Sequence, residues 1–235
     1  MDIQTFNILR LKRKPSGPLI TYVKSDFDES ALKSSVSNVR YLSESDEYSV
    51  FSCTYKQQEL NFMATGSGSA SLLTGLFEVL SSNLPAIVRI GACGGLNDAK
   101  VGEVVVSDLC VCKDKVSSVL AKDTHVLADE ALTDQIKSRL SYDHIAATAH
   151  HVVSVDAMYL FEEDIEGAEK DDVYCWDLET ATLLAFGKRF GIKTASLLEV
   201  VSDRSGHSCD SYPPIRRLDF VRSVMEVLTK GVQAG

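Results

Sequence analysis

The feature that most constrains the fold is a short apolar run that ends in glycines. Residues 86–90 read AIVRI, and Gly91, Gly94 and Gly95 follow. A buried parallel strand has this continuous apolar character, and glycines let the chain turn sharply and approach a ligand closely. Ligands of open α/β sheets bind beyond the carboxyl ends of strands, so the segment predicts a central strand with a candidate site at Arg89, its only charged residue. A structural strand and turn with a snorkelling arginine is the alternative interpretation.

The composition favours one soluble α/β domain. The chain has 235 residues, of which 45% are hydrophobic and 24% charged, as in ordinary globular proteins. A net charge of −9 argues against nucleic-acid or anionic membrane surfaces and favours small-molecule or protein partners. No apolar run approaches the roughly 20 residues of a membrane span, and residues 1–18 are too polar for a secretion signal. Six cysteines, mostly inside apolar segments, predict a cytoplasmic protein with reduced thiols and no metal site.

Strand and helix patterns alternate along the chain and predict a mixed, largely buried sheet. Residues 1–18 are expected to be irregular, and residues 19–235 to form the single domain. Strands are expected at 19–23, 50–55, 60–64, 86–90, 104–108, 145–155 and 193–201, and helices at 31–39, 70–80, 129–140, 179–190 and 215–232.

Polar residues that carry chemistry follow several of these strands. The strand ends at 89–95, 154–159 and 202–204 are expected to converge. Glu179 lies at a strand-to-helix junction, where it either caps the helix or accepts hydrogen bonds from sugar hydroxyls. Asp203 either forms a surface ion pair or acts as a general acid.

Five motifs follow one another over nearly the whole chain. They are RIGACGGL at 89–96, KVGEVVVSD at 100–108, SVDAMY at 154–159, DLETATLL at 177–184 and VSD at 201–203. Together they resemble the nucleoside phosphorylase and nucleosidase superfamily, which includes purine nucleoside phosphorylases, uridine phosphorylases and methylthioadenosine nucleosidases. The resemblance implies a single-domain α/β/α sandwich around a mixed, barrel-like sheet, assembled as a homodimer or a trimer of dimers. It also implies cleavage of an N-glycosidic bond through an oxocarbenium-like transition state, without a cofactor.

The resemblance assigns roles around the sugar and the leaving group. Glu179 would hold the ribose hydroxyls and Leu178 would line the ribose. Asp203 matches the aspartate that protonates purine N7, and Arg216 matches the arginine that assists it.

Further residues would contact the base. Met158 takes the family's usual aromatic position against the base. Trp176 and the backbone of Cys93 and Gly94 would border it.

The phosphate site departs from the family pattern. Glu29 and Asp46 stand where the phosphorylases have arginines, Ala92 replaces a hydroxyl residue, and only Arg89 of the phosphate-binding set remains. A phosphate dianion needs several cationic or N–H donors, so weak phosphate binding is expected. Glu29 resembles the water-activating glutamate of the nucleosidases; a solvated residue before a helix is the alternative.

These observations predict a cytoplasmic enzyme of purine nucleoside catabolism and salvage. The leading hypothesis is phosphorolysis of a nucleoside, with phosphate as co-substrate, giving a free base and (deoxy)ribose 1-phosphate. The alternatives are a hydrolytic nucleosidase that uses Glu29, and a nucleoside-binding homologue without catalysis.

Overall fold

Ten strands form one mixed sheet in the computed structural model, which describes residues 9–158, 172–205, 207–208 and 218–231. The strands are β1 (Leu19–Val23), β2 (Ser37–Glu44), β3 (Ser49–Tyr55), β4 (Gln58–Thr65), β5 (Ala86–Gly95), β6 (Val104–Cys112), β7 (His125–Leu127), β8 (Ala147–Ser154), β9 (Val173–Asp177) and β10 (Lys193–Ser202).

Part of this sheet closes on itself. The strand order is β10-β6-β8-β9-β5-β1-β4-β3-β2, and an additional pairing between β10 and β5 joins five strands into a ring. Strand β5 pairs in parallel with β1 and β10 and antiparallel with β9. The central strand predicted from residues 86–90 is therefore the strand at which the ring and the open part of the sheet meet.

Six helices flank the sheet in the described ranges. They are α1 (Glu29–Lys33), α2 (Ser69–Val79), α3 (Lys115–Ala121), α4 (Glu130–Tyr142), α5 (Thr180–Phe190) and α6 (Leu218–Thr229). Aspartates cap three of them: Asp28, Asp114 and Asp129 accept hydrogen bonds from the first-turn amides of α1, α3 and α4. Gly191 ends α5 in the left-handed conformation, φ 68°, which glycine adopts without strain.

The helices lie on both faces of β5. On one face Val88 packs in a core with residues of α4 and α6, such as Ile136 and Phe220. On the other, Ile87 belongs to a core that includes Leu76 of α2 and Phe186 of α5. The expected α/β/α sandwich around a barrel-like sheet is confirmed.

Three elements differ from their sequence predictions. Strand β5, expected to end at residue 90 in a glycine turn, continues to Gly95. The helix expected at 31–39 ends at Lys33, and residues 37–44 form β2 instead. Strand β2 pairs antiparallel with β3, and Val39 and Tyr41 pack against the core, so tertiary pairing overrides the local helix pattern. The last helix, expected at 215–232, covers Leu218–Thr229 among the described residues; residues 209–217 and 232–235 lie outside them.

The N-terminal segment contributes to the core although residues 9–18 form neither helix nor strand. Leu9 is buried, and the Lys12 amide donates to the Leu42 carbonyl of β2. In the described part of the chain, no helix is long and apolar enough to cross a membrane.

Candidate active site

Arg89 is the centre of a buried charge cluster. Its side chain is 2% exposed, and it extends from the same face of β5 as Ile87, toward α2 and α5. Its Nη2 donates a short, charge-assisted hydrogen bond to Glu179 Oε2. Its Nη1 lies 3.3 Å from Asp177 Oδ2. The Nη2 end is therefore hydrogen-bonded to Glu179, whereas Nη1 lies near Asp177 but is a buried donor without a hydrogen-bond partner among the described residues.

Glu179 is held at both of its carboxylate oxygens. While Oε2 binds Arg89, Oε1 accepts a 2.6 Å hydrogen bond from the Gly68 amide. Gly68 belongs to the glycine-rich turn between β4 and α2. The turn and the junction are also joined by Ser69 Oγ, which donates to the Leu178 carbonyl at 2.7 Å.

Glu179 occupies the N-cap position of helix α5, but the capping hydrogen bonds are made by the side chain of Asp177. The side chain of Glu179 makes no capping hydrogen bond to its own helix. Asp177 Oδ2 instead accepts from the Thr180 amide at 3.0 Å and from the Thr180 hydroxyl at 2.6 Å. Ser154 of β8 donates to Asp177 Oδ1 at 2.6 Å. The contacts of the Glu179 side chain are therefore not those of a helix cap.

A third carboxylate faces Arg89 from the end of β1. Asp26 is half-buried and accepts a hydrogen bond from the Ala92 amide, and its charge interacts with that of Arg89. Burial raises the pKa of Asp26, and Arg89 opposes this only partly. The acidic residue of the 25–29 turn that faces Arg89 is thus Asp26.

Three carboxylates share one guanidinium, and the pKa directions of Arg89 and Glu179 follow from that imbalance. Burial alone would lower the pKa of Arg89, but attraction to Glu179, Asp177 and Asp26 outweighs burial and raises it. Burial raises the pKa of Glu179, and repulsion from Asp177 adds to the effect, while Arg89 and the Gly68 amide lower it only in part. The arginine is firmly charged, whereas the carboxylates around it are under-compensated.

Gly91 creates the space that the Arg89 side chain occupies. A Cβ atom at position 91 would overlap the guanidinium atoms of Arg89. Gly91 lies two residues after Arg89 on the same face of the strand. Arg89 therefore folds along its own strand toward the strand's carboxyl end, where Glu179 meets it.

Cys93, Gly94 and Trp176, three of the residues expected around the base, lie together at the end of β5. Gly94 pairs with Trp176 of β9, and a Cβ at position 94 would overlap the indole, so Trp176 lies directly over Gly94. The Cys93 side chain is buried among barrel residues. Leu178 packs with Trp176 in a small apolar cluster. Met158 is 68% exposed beyond the end of β8.

Asp203 follows β10 directly, next to this group. Its neighbour Ser202 pairs with Gly94. Asp203 Oδ1 accepts from the amides of Ser205 and His207, and Oδ2 lies 3.1 Å from His207 Nδ1. Burial would raise the pKa of Asp203, but the hydrogen bonds from His207 and Ser205 outweigh it and lower the pKa. Arg216, its expected assistant, lies outside the described residues.

Glu29 lies in a separate network. Its oxygens bind Lys33 Nζ at 2.7 Å, the Tyr22 hydroxyl at 2.8 Å and the Ser49 hydroxyl at 2.9 Å. Thr21 of β1 is the register partner of Arg89 and shares its face of the sheet. Tyr22 is the next residue along β1 and therefore projects from the opposite face. Burial would raise the pKa of Glu29, but these hydrogen bonds outweigh it and lower the pKa.

Another cation near the expected phosphate site is also engaged. Lys24 Nζ donates to the backbone carbonyls of Ser45 and Asp46 at 2.8 and 3.2 Å. No cluster of three or more metal-binding side chains occurs in the parts of the chain that the structure describes.

Sequence reasoning did not assign Asp26 or Asp177 to the site, and it did not identify Gly91 as the space for the Arg89 side chain. Asp26 lies in a turn with several acidic residues, and Asp177 lies in a motif in which Glu179 was the expected ligand-binding residue. The spacing of Gly91 from Arg89 was the available signal, because an arginine in a buried strand needs an adjacent space into which it can fold.

Comparison with known proteins identifies the family. The family model described as "Phosphorylase superfamily" matches residues 22–231, and the chain belongs to this superfamily. A DeoD-type purine nucleoside phosphorylase from Mannheimia succiniciproducens is 28% identical over 230 residues, which are 94% of this chain and 91% of that protein.

Other similarities agree with this assignment. A purine nucleoside phosphorylase from Plasmodium vivax is 26% identical over 163 residues, 66% of this chain and 65% of that protein, so the chain matches slightly less than two thirds of that relative. The crystal structure of uridine phosphorylase from Vibrio fischeri ES114 superimposes with a TM-score of 0.75 at 22% identity, covering 92% of this chain and 88% of the other. This likeness shows the shared fold.

Proposed function

We propose that the protein cleaves the N-glycosidic bond of a purine nucleoside, with phosphate as the acceptor, giving a free base and (deoxy)ribose 1-phosphate. The observation that carries this proposal is the placement of Glu179. Its carboxylate is buried, is free of its own helix and is fixed by Arg89 and Gly68 where the ends of β5 and β9 meet. The purine nucleoside phosphorylases among the relatives support the choice of substrate.

Glu179 supplies the charge that the reaction needs. The sugar becomes cationic as the bond to the base breaks, and a fixed carboxylate that accepts hydrogen bonds from the ribose hydroxyls stabilises that state more than the ground state. Leu178 lines the sugar from the same junction, which Ser69 ties to the glycine-rich turn. The excess of carboxylates in this cluster favours a developing positive charge.

The base occupies the region between Trp176, Gly94 and Asp203. Trp176 lies over Gly94 and offers a ring edge, and Met158, exposed beside the site, closes over the base. Asp203 protonates or hydrogen-bonds purine N7, which makes the base a better leaving group. It must then exchange its contacts with His207 for the base, with Arg216 assisting.

Phosphate is expected to bind weakly. At an effective dielectric near 20, a carboxylate about 5 Å from an anion costs about 3 kcal/mol per unit charge, and three carboxylates face the charge of Arg89. The apparent KM for phosphate should exceed about 1 mM, the upper end of the usual range.

The charge balance around Arg89 also favours a second candidate, hydrolysis, because water is a neutral acceptor that three carboxylates do not repel. Glu29 would be the base of such a reaction. Its lowered pKa and its bonds to Lys33, Tyr22 and Ser49 make it a weak base unless Lys33 releases it.

Base release from a panel of purine and pyrimidine nucleosides, with 0 to 50 mM phosphate, tests these functions. Phosphate-dependent release of purines with production of a sugar 1-phosphate supports phosphorolysis. Release that does not depend on phosphate supports hydrolysis and overturns the first proposal. Nucleoside binding without any release leaves the homologue without catalysis.

A further inference from the structure

The proposed role of Asp203 requires a proton that its ionised carboxylate does not carry. Burial would raise the pKa of Asp203, but hydrogen bonds from the amide and the ring of His207 and from the Ser205 amide outweigh burial and lower the pKa. A carboxyl group with a lowered pKa is ionised at neutral pH and has no proton to donate. The proton for the base therefore has to reach Asp203 from outside its own carboxylate.

The His207 ring is the titratable group that contacts Asp203 within the described residues. Its Nδ1 lies 3.1 Å from Oδ2 and 3.3 Å from Oδ1 of Asp203. Imidazole is the side chain that ordinarily gains or loses a proton between pH 5 and 8. Arg204, the other charged residue of the 203–205 turn, keeps its proton throughout this range. His207 is thus the neighbour that can pass a proton to Asp203 near neutral pH.

The exposure of the two side chains differs in the direction that a path for protons requires. The Asp203 side chain is 12% exposed, whereas that of His207 is 75% exposed. His207 can therefore recover a proton from water after each turnover. Asp203 follows Ser202, which is the register partner of Gly94 at the candidate base site. The pair thereby connects bulk water with that site.

Main-chain hydrogen bonds hold His207 next to Asp203. The Asp203 amide donates to the His207 carbonyl at 3.0 Å, and the His207 amide donates to Asp203 Oδ1 at 3.1 Å. A bridge between Ser202 and Ser208 closes the same turn. Because these bonds use backbone atoms of residue 207, they remain when its side chain is replaced.

We infer that His207 is a positioning residue for Asp203 and carries the proton that Asp203 delivers to N7 of the purine. This inference rests on the proposed cleavage of a purine nucleoside with Asp203 at N7. The Nδ1–H bond of the imidazolium breaks and an O–H bond forms on Asp203, which leaves the imidazole neutral. Loss of the ion pair then frees Asp203 to turn toward the base.

The second half of the step completes the balance of protons and electrons. The proton of Asp203 passes to the lone pair of N7, and Asp203 becomes a carboxylate again. The electrons of the N-glycosidic bond go to the departing base, while an oxygen of the acceptor forms the new bond to the sugar carbon. The carboxylate is a weaker base than imidazole, so it holds the proton only until the departing base, which gains electron density, takes it up.

His207→Asn tests this role, because asparagine places an N–H donor near the position of Nδ1 but does not titrate. For an unmodified purine nucleoside, kcat/KM of the variant is divided by that of wild type at each pH from 6 to 8, so that the titration of phosphate and of the nucleoside cancels. The ratio should be about 0.1 at pH 6 and should rise toward 1 at pH 8, where the wild-type imidazole has lost its proton. A ratio that does not change with pH would show that His207 only holds Asp203 in place, and would overturn the inference.

A purine nucleoside methylated at N7 gives a second readout. Its base already carries the positive charge that protonation would supply, and its N7 has no lone pair left to accept a proton. His207→Asn should cleave this substrate as fast as wild type at every pH. An equal loss on the methylated and the unmodified nucleoside would indicate a structural role and contradict proton transfer.

His125→Asn is the matched control. His125 is an exposed histidine of β7 that lines a surface pocket together with Lys193 at the start of β10, whereas Asp203 follows the end of that strand. The control variant should match wild type on both substrates throughout the pH range. The same pH-dependent loss in His125→Asn would remove the specific role of His207.

The wild-type measurements separate this inference from the proposed function. If wild type releases no base from either nucleoside, the proposed function fails and the inference fails with it. If wild type releases base from both nucleosides but the ratio is independent of pH, the proposed function stands and the role of His207 alone is overturned. The comparison holds with water as the acceptor too, because a protonated base is the better leaving group for either acceptor.

Discussion

Two glutamates next to helix starts show how differently this chain treats a carboxylate. Glu29 begins α1 and is surrounded by one lysine and three hydroxyl groups, with no excess of negative charge. Glu179 precedes α5 and shares a single arginine with Asp177 and Asp26. The network of Glu29 lowers its pKa, whereas burial and repulsion raise the pKa of Glu179.

The contrast teaches which carboxylate is built for stability and which for chemistry. A balanced network favours the ionised group and stabilises the fold that contains it. An under-compensated, buried carboxylate is held at some cost to the fold, and such groups concentrate at functional sites. On this criterion we expect Glu179 to be the functional residue and Glu29 to be the structural one.

The largest effect is expected from Glu179→Gln. The amide keeps the shape of the side chain but removes the charge that stabilises a cationic sugar, so kcat/KM should fall by about 10³-fold. Steady-state kinetics on the best purine nucleoside measure this, with circular dichroism to confirm the fold. Activity within tenfold of wild type would remove Glu179 from the mechanism and erase the contrast.

A somewhat smaller loss is expected from Asp203→Asn. Loss of a positioned acid should lower kcat on 6-oxopurine nucleosides by about 10²-fold. His207→Ala, which removes the imidazole partner of Asp203, is the companion variant and should affect turnover less. Unchanged turnover of Asp203→Asn on every purine substrate would show that the base leaves without this residue.

Glu29→Gln should mainly affect stability. A neutral amide weakens the interactions with Lys33 and the three hydroxyls, at a cost of about 1–2 kcal/mol in the free energy of unfolding, while kcat/KM stays within about threefold of wild type. Urea denaturation and kinetics on one preparation provide both numbers. The opposite pattern, a stable protein without activity, would favour hydrolysis with Glu29 as the base.

The smallest expected effect is a change in how thermal stability depends on pH. It also compares Glu29 and Glu179 most directly. Because folding lowers the pKa of Glu29, its ionised carboxylate stabilises the folded protein above the ordinary pKa near 4.5. This stabilisation is lost as the pH falls through the pKa of the folded state. Glu29→Gln should therefore melt below wild type at pH 7, with a gap that narrows toward pH 4.

Glu179 should behave with the opposite sign. Because folding raises the pKa of Glu179, the contribution of this group to folding stability is complete below the ordinary pKa near 4.5, where the group is protonated. This contribution is lost as the pH rises through the pKa of the folded state. Glu179→Gln should melt above wild type at pH 7, with a gap that also narrows toward pH 4. Differential scanning fluorimetry from pH 4 to 8 measures both series, and a destabilised Glu179→Gln at pH 7 would contradict the pKa direction.

The sequence predicted the fold well where local patterns and burial agree. The apolar run at 86–90 is the heart of β5, and the β1 strand has the expected bounds. Strand β2 was missed because its residues alternate poorly, with a burial pattern set by pairing with β3 and by contact with the core.

The charge pairing between the candidate site residues could not be predicted from the sequence. The motifs singled out Arg89 and Glu179, but their contact joins residues 90 positions apart, and it depends on the register of β5 with the α5 junction. The sequence alone could not show which acidic residue of the 25–29 turn faces Arg89. Asp26 and Glu29 are only three residues apart, but Asp26 interacts with Arg89, whereas Glu29 bonds to Tyr22 on the opposite face of the sheet.

The closed ring of strands has a consequence for the order in which the protein folds. Strands β1 to β4 and helix α1 come together through contacts between neighbouring segments, whereas β5 must wait for β9 and β10 from the last third of the chain. Closure of such a long loop costs entropy before its contacts form, which slows this step. Because Arg89 meets Glu179 only when the ring closes, a nascent or partly folded chain lacks this charge cluster, and the proposed nucleoside binding would report that folding is complete.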